Sequence, residues 1–210
     1  MRLTGIWLWV IWNSFLALVP VALAQVICRA AAVPRKGTAL KVGLVLLTLT
    51  WLAFLPNTCY LFTEWRHFLA RLDASDLYLR SQQSSGLILR LMIETAAYAC
   101  YAGFGMLTFV LAIRPIERLA RKRFVEVWPL AIPLFILLSV GVYLGLILRF
   151  NSWELLTRPM DIGRSVAALA YRPTLSLLII AFAGFLWLAY IAIDIWIDGF
   201  LVRWRGTRKP

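Results

Sequence analysis

Five long apolar runs, at 6–28, 40–56, 87–113, 127–148 and 175–197, limit this chain more than any other feature in it. A helix needs roughly 17–25 residues to cross a hydrocarbon core, and each run meets or approaches that length. The alternative is a water-soluble core, and 210 residues cannot bury so much apolar surface. Hydrophobic residues make up 62% of the chain and charged ones 15%, where a soluble domain carries about 25% charged. The expected fold is all-α. It is an integral membrane bundle of about five transmembrane helices in one domain over 1–210, with an amphipathic helix at the outer interface. The first run is too long for a signal peptide, follows a lone Arg2 and precedes no convincing cleavage site, so it reads as a retained anchor.

Lysine and arginine set the expected orientation. The first connection carries Arg29, Arg35, Lys36 and Lys41 and no acid. The third carries Arg114, Arg118, Arg121, Lys122 and Arg123 against Glu117 and Glu126, and the tail adds Arg203, Arg205, Arg208 and Lys209. The second connection mixes Arg66, Arg71 and Arg80 with Glu64, Asp73 and Asp76; the fourth mixes Arg158, Arg164 and Arg172 with Glu154 and Asp161. Basic and mixed loops alternate, so the N-terminus is expected outside and the C-terminus in the cytoplasm. The net charge of +12 is then a topology signal first and an attraction to anionic lipid headgroups second. Membrane lipids are the expected partners, and nucleic acid is not. Three cysteines (Cys28, Cys59 and Cys100) make no disulfide framework and lack metal-ligand spacing; no metal ligand is assigned, although carboxylates with His67 could take a divalent cation. Asp194 and Asp198, close to Arg203 and Arg205, read as a helix end balanced by local salt bridges. The polar stretches 73–85 and 157–172 read as ordinary loops.

Pro56 is expected to end or kink the second span, and the segment after it is the most informative in the chain. At about 100° per residue, Leu61, Phe62, Trp65, Phe68, Leu69 and Leu72 share one arc of roughly 120°, and Asn57, Tyr60, Glu64, His67 and Arg71 share another of roughly 80°. That separation predicts an amphipathic helix over 58–72, its apolar face against lipid or the bundle. The opposite stripe holds the single histidine, three residues from Glu64 and therefore beside it on a helix. A polar face that simply meets water would account for the stripe equally well.

Other polar groups fall at the same depth. Asn13 lies seven residues into the first span, and Glu94 seven residues into the third with Arg90 one turn above it. A carboxylate within a span is costly and marks a functional site by default; neutralisation by Arg90 is the plainer account. The fourth span ends in Arg149-Phe150-Asn151-Ser152-Trp153-Glu154. These positions predict one pocket at the outer face. Glu64, His67, Glu94 and Glu154 are its acid–base candidates. Arg90 and Arg149 could hold a phosphate or carboxylate, with Asn13, Asn57, Tyr60 and Asn151 as further substrate- or anion-binding groups. Gly141 with Gly145, and Ala99 with Gly103, are spaced for close helix contact.

Phe54-Leu55-Pro56-Asn57, followed by Tyr60, Thr63, Glu64 and His67, resembles the signature of a bacterial multi-pass membrane family known as domain of unknown function 1361. Trp12-Asn13 with Phe15-Leu16-Ala17 and Pro20, Gly141-Val142-Tyr143-Leu144-Gly145, and the run from Arg149 to Glu154 resemble its other recurrent blocks. Cys59 stands where that pattern has proline, and Glu64 and Glu154 where it has aspartate. The resemblance implies a bacterial plasma membrane and a single whole-length domain; it supplies no activity and no cofactor. Three functions remain open from the residues. One is an accessory or docking subunit for another membrane protein. The second is a membrane-embedded enzyme or binder for a lipid-linked or anionic substrate, and the third a small transporter or channel formed by self-association.

Overall fold

The computed structural model describes residues 3–34, 37–63, 65–75, 77–82, 84–122, 124 and 126–206. Its helices are α1 (Leu3–Ala31), α2 (Thr38–Phe54), α3 (Pro56–Thr63), α4 (Trp65–Ser75), α5 (Leu77–Ser81), α6 (Ser85–Arg121), α7 (Trp128–Leu146), α8 (Glu154–Thr157), α9 (Pro159–Ala167) and α10 (Pro173–Gly206). A 3-10 turn at Ala168–Tyr171 separates the last two. No strand occurs among the described residues. Five helical stretches there are long and apolar enough to cross a membrane: Leu8–Ala31, Thr38–Leu61, Ser85–Arg121, Trp128–Leu146 and Pro173–Gly206. The chain is an all-α membrane protein. Two of the long helices outrun their apolar stretches, because a helix that leaves the hydrocarbon can continue with charged residues; α6 reaches Arg121 and α10 reaches Gly206.

One apolar core draws on α1, α2, α3, α6, α7 and α10, through Ala24, Trp51, Cys59, Phe109, Phe135 and Leu186 among others. Phe109, Phe135 and Tyr190 meet in tilted and edge-on pairs 5.9–6.3 Å apart, the geometry that ring quadrupoles favour. Hydrogen bonds tie helices together within this core. Ser139 Oγ donates to the Ile179 carbonyl at 2.7 Å, joining α7 to α10. Trp51 Nε1 donates to the Ala112 carbonyl at 3.1 Å, joining α2 to α6.

Pro56 offsets the second span without ending it. Leu55 keeps helical dihedrals and its N–H bonds to the Trp51 carbonyl, so α3 continues along the same crossing. It runs into the bundle, where it packs against α6, α1 and α7. Asn57, Thr58, Cys59 and Leu61 are all buried. The stretch expected as one interfacial helix is therefore helical in two pieces, of which α3 is interior. Only α4 retains an apolar face against α6, where Phe68 meets Tyr98 at 5.0 Å and Trp65 at 5.3 Å. The close approach of α3 to α7 depends on glycine. A Cβ on Gly141 would sit 2.5 Å from the Pro56 ring, and one on Gly145 would overlap the Tyr60 phenol. The other small-residue pair plays no such part, since a Cβ on Gly103 would meet nothing within 4 Å.

At the far end of the bundle α6 and α10 are clamped by charge. Arg114 is buried, with Nε 2.7 Å from Asp194 Oδ1 and Nη2 on Asp198. The Nε contact is too bent for a good hydrogen bond, so charge attraction carries it. Arg118 approaches Asp198 at 3.4 Å, Tyr190 donates to Glu117, and Arg121 pairs with Glu117 at 2.6 Å. The two aspartates expected to balance Arg203 and Arg205 thus pair across helices with Arg114 and Arg118. The polar stretches expected as loops are mostly helical: α4 and α5 occupy part of the second connection, and α8, α9 and the 3-10 turn fill the fourth.

Candidate functional site

The chain leaves α7 by an unusual route. Arg149 adopts φ 60°, and it is the one non-glycine residue with positive φ among those described. The Phe150 N–H then bonds back to the Leu144 carbonyl at 3.0 Å. A left-handed turn of this kind normally favours glycine, because a Cβ costs roughly 1–2 kcal/mol there. Asn151 next opens a turn ahead of α8. Glu154 Oε2 accepts from the Asn151 N–H at 2.6 Å and from Asn151 Nδ2 at 3.3 Å, while the Glu154 N–H donates to the Asn151 carbonyl at 2.9 Å. The Glu154 carboxylate thus closes a four-residue turn, 151–154, that leads into α8. It turns the segment from Arg149 to Trp153 back over the ends of α1 and α3.

The folded-back segment closes a pocket of about 290 Å³. Its walls come from Trp9, Trp12, Asn13 and Leu16 of α1, Phe54 of α2, Asn57 and Tyr60 of α3, Gly145 of α7, and the Arg149–Trp153 segment. Asn57 is buried and donates from Nδ2 to the Phe54 carbonyl and to Ser152 Oγ, both at 3.0 Å. Tyr60 donates its hydroxyl to the Gly141 carbonyl at 3.3 Å. Asn13 and Arg149 have no hydrogen-bond or ion-pair partner among the described residues. The described lining therefore offers one uncommitted guanidinium, one uncommitted amide, two further amides, two hydroxyls and indole faces. No carboxylate lines it among the described residues.

Five of the residues singled out from sequence meet here: Asn13, Asn57, Tyr60, Arg149 and Asn151. Arg90 and Glu94 do not line the pocket. They form an i,i+4 ion pair on α6 at 2.9 Å, with the Arg90 side chain 66% exposed. Glu154 closes the turn at Asn151 and lies near Arg158 at 3.7 Å. His67 belongs to α4, but its side chain, like Glu64 entirely, lies outside the described residues. Trp9 was missed by sequence reasoning, although it stands one turn before Asn13 and so shares its helix face. Among the described residues no three of His, Cys, Asp and Glu gather closely enough to hold a metal ion.

The described lining suits the binding of an anion. A guanidinium with amide donors matches a phosphate or carboxylate, and flanking indoles suit the membrane–water boundary. The family described as "Protein of unknown function (DUF1361)" matches residues 12–189, a stretch that includes every lining residue but Trp9. No curated protein and no solved structure matches the chain.

Proposed function

We propose that this membrane protein, which belongs to the DUF1361 family, binds an anionic group of a ligand at the extracytoplasmic boundary of a bacterial plasma membrane. The observation that carries the reading is Arg149, a cation without an ion-pair partner among the described residues, held in a left-handed turn on an amide-lined pocket. The turn would be easier with glycine, so the guanidinium is better explained by what it can hold. Asn13, Asn57 and Asn151 supply the surrounding hydrogen-bonding capacity, and Tyr60 fixes the pocket wall. Acid–base chemistry by Glu64, His67, Glu94 or Glu154 is no part of this reading.

Two substitutions at one position test it. Arg149→Gly relieves the backbone, so thermal stability in detergent should hold or rise, by up to about 1 kcal/mol. Binding of radiolabelled glycerol 3-phosphate should fall about tenfold or more in both Arg149→Gly and Arg149→Ala, as loss of a charge-assisted contact worth about 1.5–3 kcal/mol requires. Wild-type protein that fails to bind glycerol 3-phosphate rejects the proposal.

The orientation rests on the alternation of basic and mixed loops. In a background cleared of reactive native thiols, an impermeant maleimide added outside intact cells should label a cysteine at the half-buried Ser165 and not one at Thr207. Labelling at Thr207 alone would turn the pocket to the cytoplasm.

One observation favours a docking subunit as the second reading. The Arg90–Glu94 pair faces outward from α6 near its start, where a polar patch on another membrane helix could cover it. A photoreactive residue at Ile93 that captures the same single protein in native membranes, and loses it in Glu94→Gln, would support that role.

A further inference from the structure

The polar pocket does not end at Tyr60. Tyr60, Gly145, Phe150, Asn151 and Ser152 also line a second cavity of about 740 Å³, so the two spaces meet across these five residues. Beyond them the second space is apolar. It runs down between α2 and α7 as far as Leu49 and Pro133. The groove exists because α3, and not α2, packs closely against α7: the glycines bring the helices together near Pro56 and Tyr60, and α2 stands off below. From Gly145 to Pro133 the groove follows α7 for about 18 Å at 1.5 Å per residue. One leaflet of hydrocarbon, half of a roughly 30 Å core, is about 15 Å deep. Leu49, Ile136 and Leu137 are exposed along its open side, where it faces the surrounding membrane.

We infer that the groove is the slot for one hydrocarbon chain of an anionic lipid whose head group occupies the Arg149 pocket. This rests on the head-group reading proposed above and adds the chemical class of its ligand. Three features fix the occupant. The groove is apolar and opens sideways, so its occupant comes from the bilayer and not from water. Its depth is that of a single leaflet. Its upper end leads to a cation without an ion-pair partner among the described residues, which selects a negative head over a neutral or zwitterionic one. Both volumes lie within or near the usual range for small-molecule sites, roughly 300–1,000 Å³.

Dodecyl phosphate carrying a diazirine at its far end tests the inference, with full-length protein in phosphatidylcholine nanodiscs. After photolysis, cross-links should fall on the peptides holding Leu49–Ala53 and Pro133–Val140 about tenfold more often than on the exposed face of α10 around Leu177. Arg149→Ala should cut the groove labelling about tenfold. Val140→Trp or Leu137→Trp, which fill the slot, should do the same yet leave glycerol 3-phosphate binding at the wild-type level; Leu137 is exposed, so that variant tolerates the larger ring. Even labelling of all lipid-facing helices, with glycerol 3-phosphate still bound, overturns the slot and spares the head-group reading. Groove labelling that ignores Arg149→Ala also overturns it, since any chain would then enter. Wild-type protein that binds no glycerol 3-phosphate overturns both.

Discussion

Arg114→Ala is expected to destabilise the protein by about 1.5–3 kcal/mol, the range for losing a charge-assisted contact, because its acid partners are partly exposed. The guanidinium is 8% exposed and meets both Asp194 and Asp198 on α10. Its loss would leave Asp194 without a counter-charge and Asp198 with only the longer contact to Arg118 at 3.4 Å. The penalty should come from the stranded carboxylates as well as from lost attraction. A double variant, Arg114→Leu with Asp194→Leu, should therefore recover most of the stability, because a well-packed apolar pair often equals a buried ionic one. Denaturant unfolding in detergent, followed by helical signal, measures both. A single variant that loses less than about 1 kcal/mol, the range of surface pairs, would show that water reaches the cluster freely.

The second large effect belongs to the α3–α7 contact. Gly141→Ala forces a methyl against the Pro56 ring, which cannot rotate away, and Gly145→Ala forces one against the Tyr60 phenol. Each should cost about 1–3 kcal/mol, the usual range for an overfilled core. The two differ in how they are rescued. Tyr60→Ala should make room for Gly145→Ala and show a coupling of about 0.5–3 kcal/mol in a double-mutant cycle; it should do nothing for Gly141→Ala. As a control, Gly103→Ala meets open space and should be neutral or stabilising by about 0.5–1 kcal/mol. Equal gains at all three glycines would mean that helix propensity and not contact decides.

The spans were legible because composition alone reports them. Depth along a helix could also be counted, but it grouped Asn13 with Glu94 and says nothing of direction around the axis; of the two, only Asn13 lines the pocket. The interior placement of α3 was not legible. An amphipathic pattern shows that a segment has two unlike faces and does not say what covers the polar one; here Ser152, 95 residues on from Asn57, covers it in part. Spacing misled at Ala99 and Gly103 for a related reason, since small residues permit an approach without compelling it. The Arg114 cluster was hidden because Asp194 and Asp198 lie 80 and 84 residues away, and only the packing of α6 against α10 makes them neighbours. Glu154 is the reverse case. Asn151 and Glu154 stand at the spacing of a local side-chain-to-backbone turn, but their place beside other polar groups drew them into the site instead.

The uncharged stretch of α6 between Glu94 and Arg114 amounts to about 30 Å of helix at 1.5 Å per residue, the thickness of a typical hydrocarbon core. Charge marks both ends of it, through the Arg90–Glu94 pair and through Arg114. Because Arg114 is bound to Asp194 and Asp198, α6 cannot adjust its tilt without taking α10 along. Hydrophobic mismatch is ordinarily relieved one helix at a time, at fractions of a kcal/mol per Å. In this bundle a thin bilayer must lean two helices together or draw the clamp into the headgroups, and a thick one must pinch inward around both. Acyl-chain length in the host membrane thereby acts on two helices as a coupled pair.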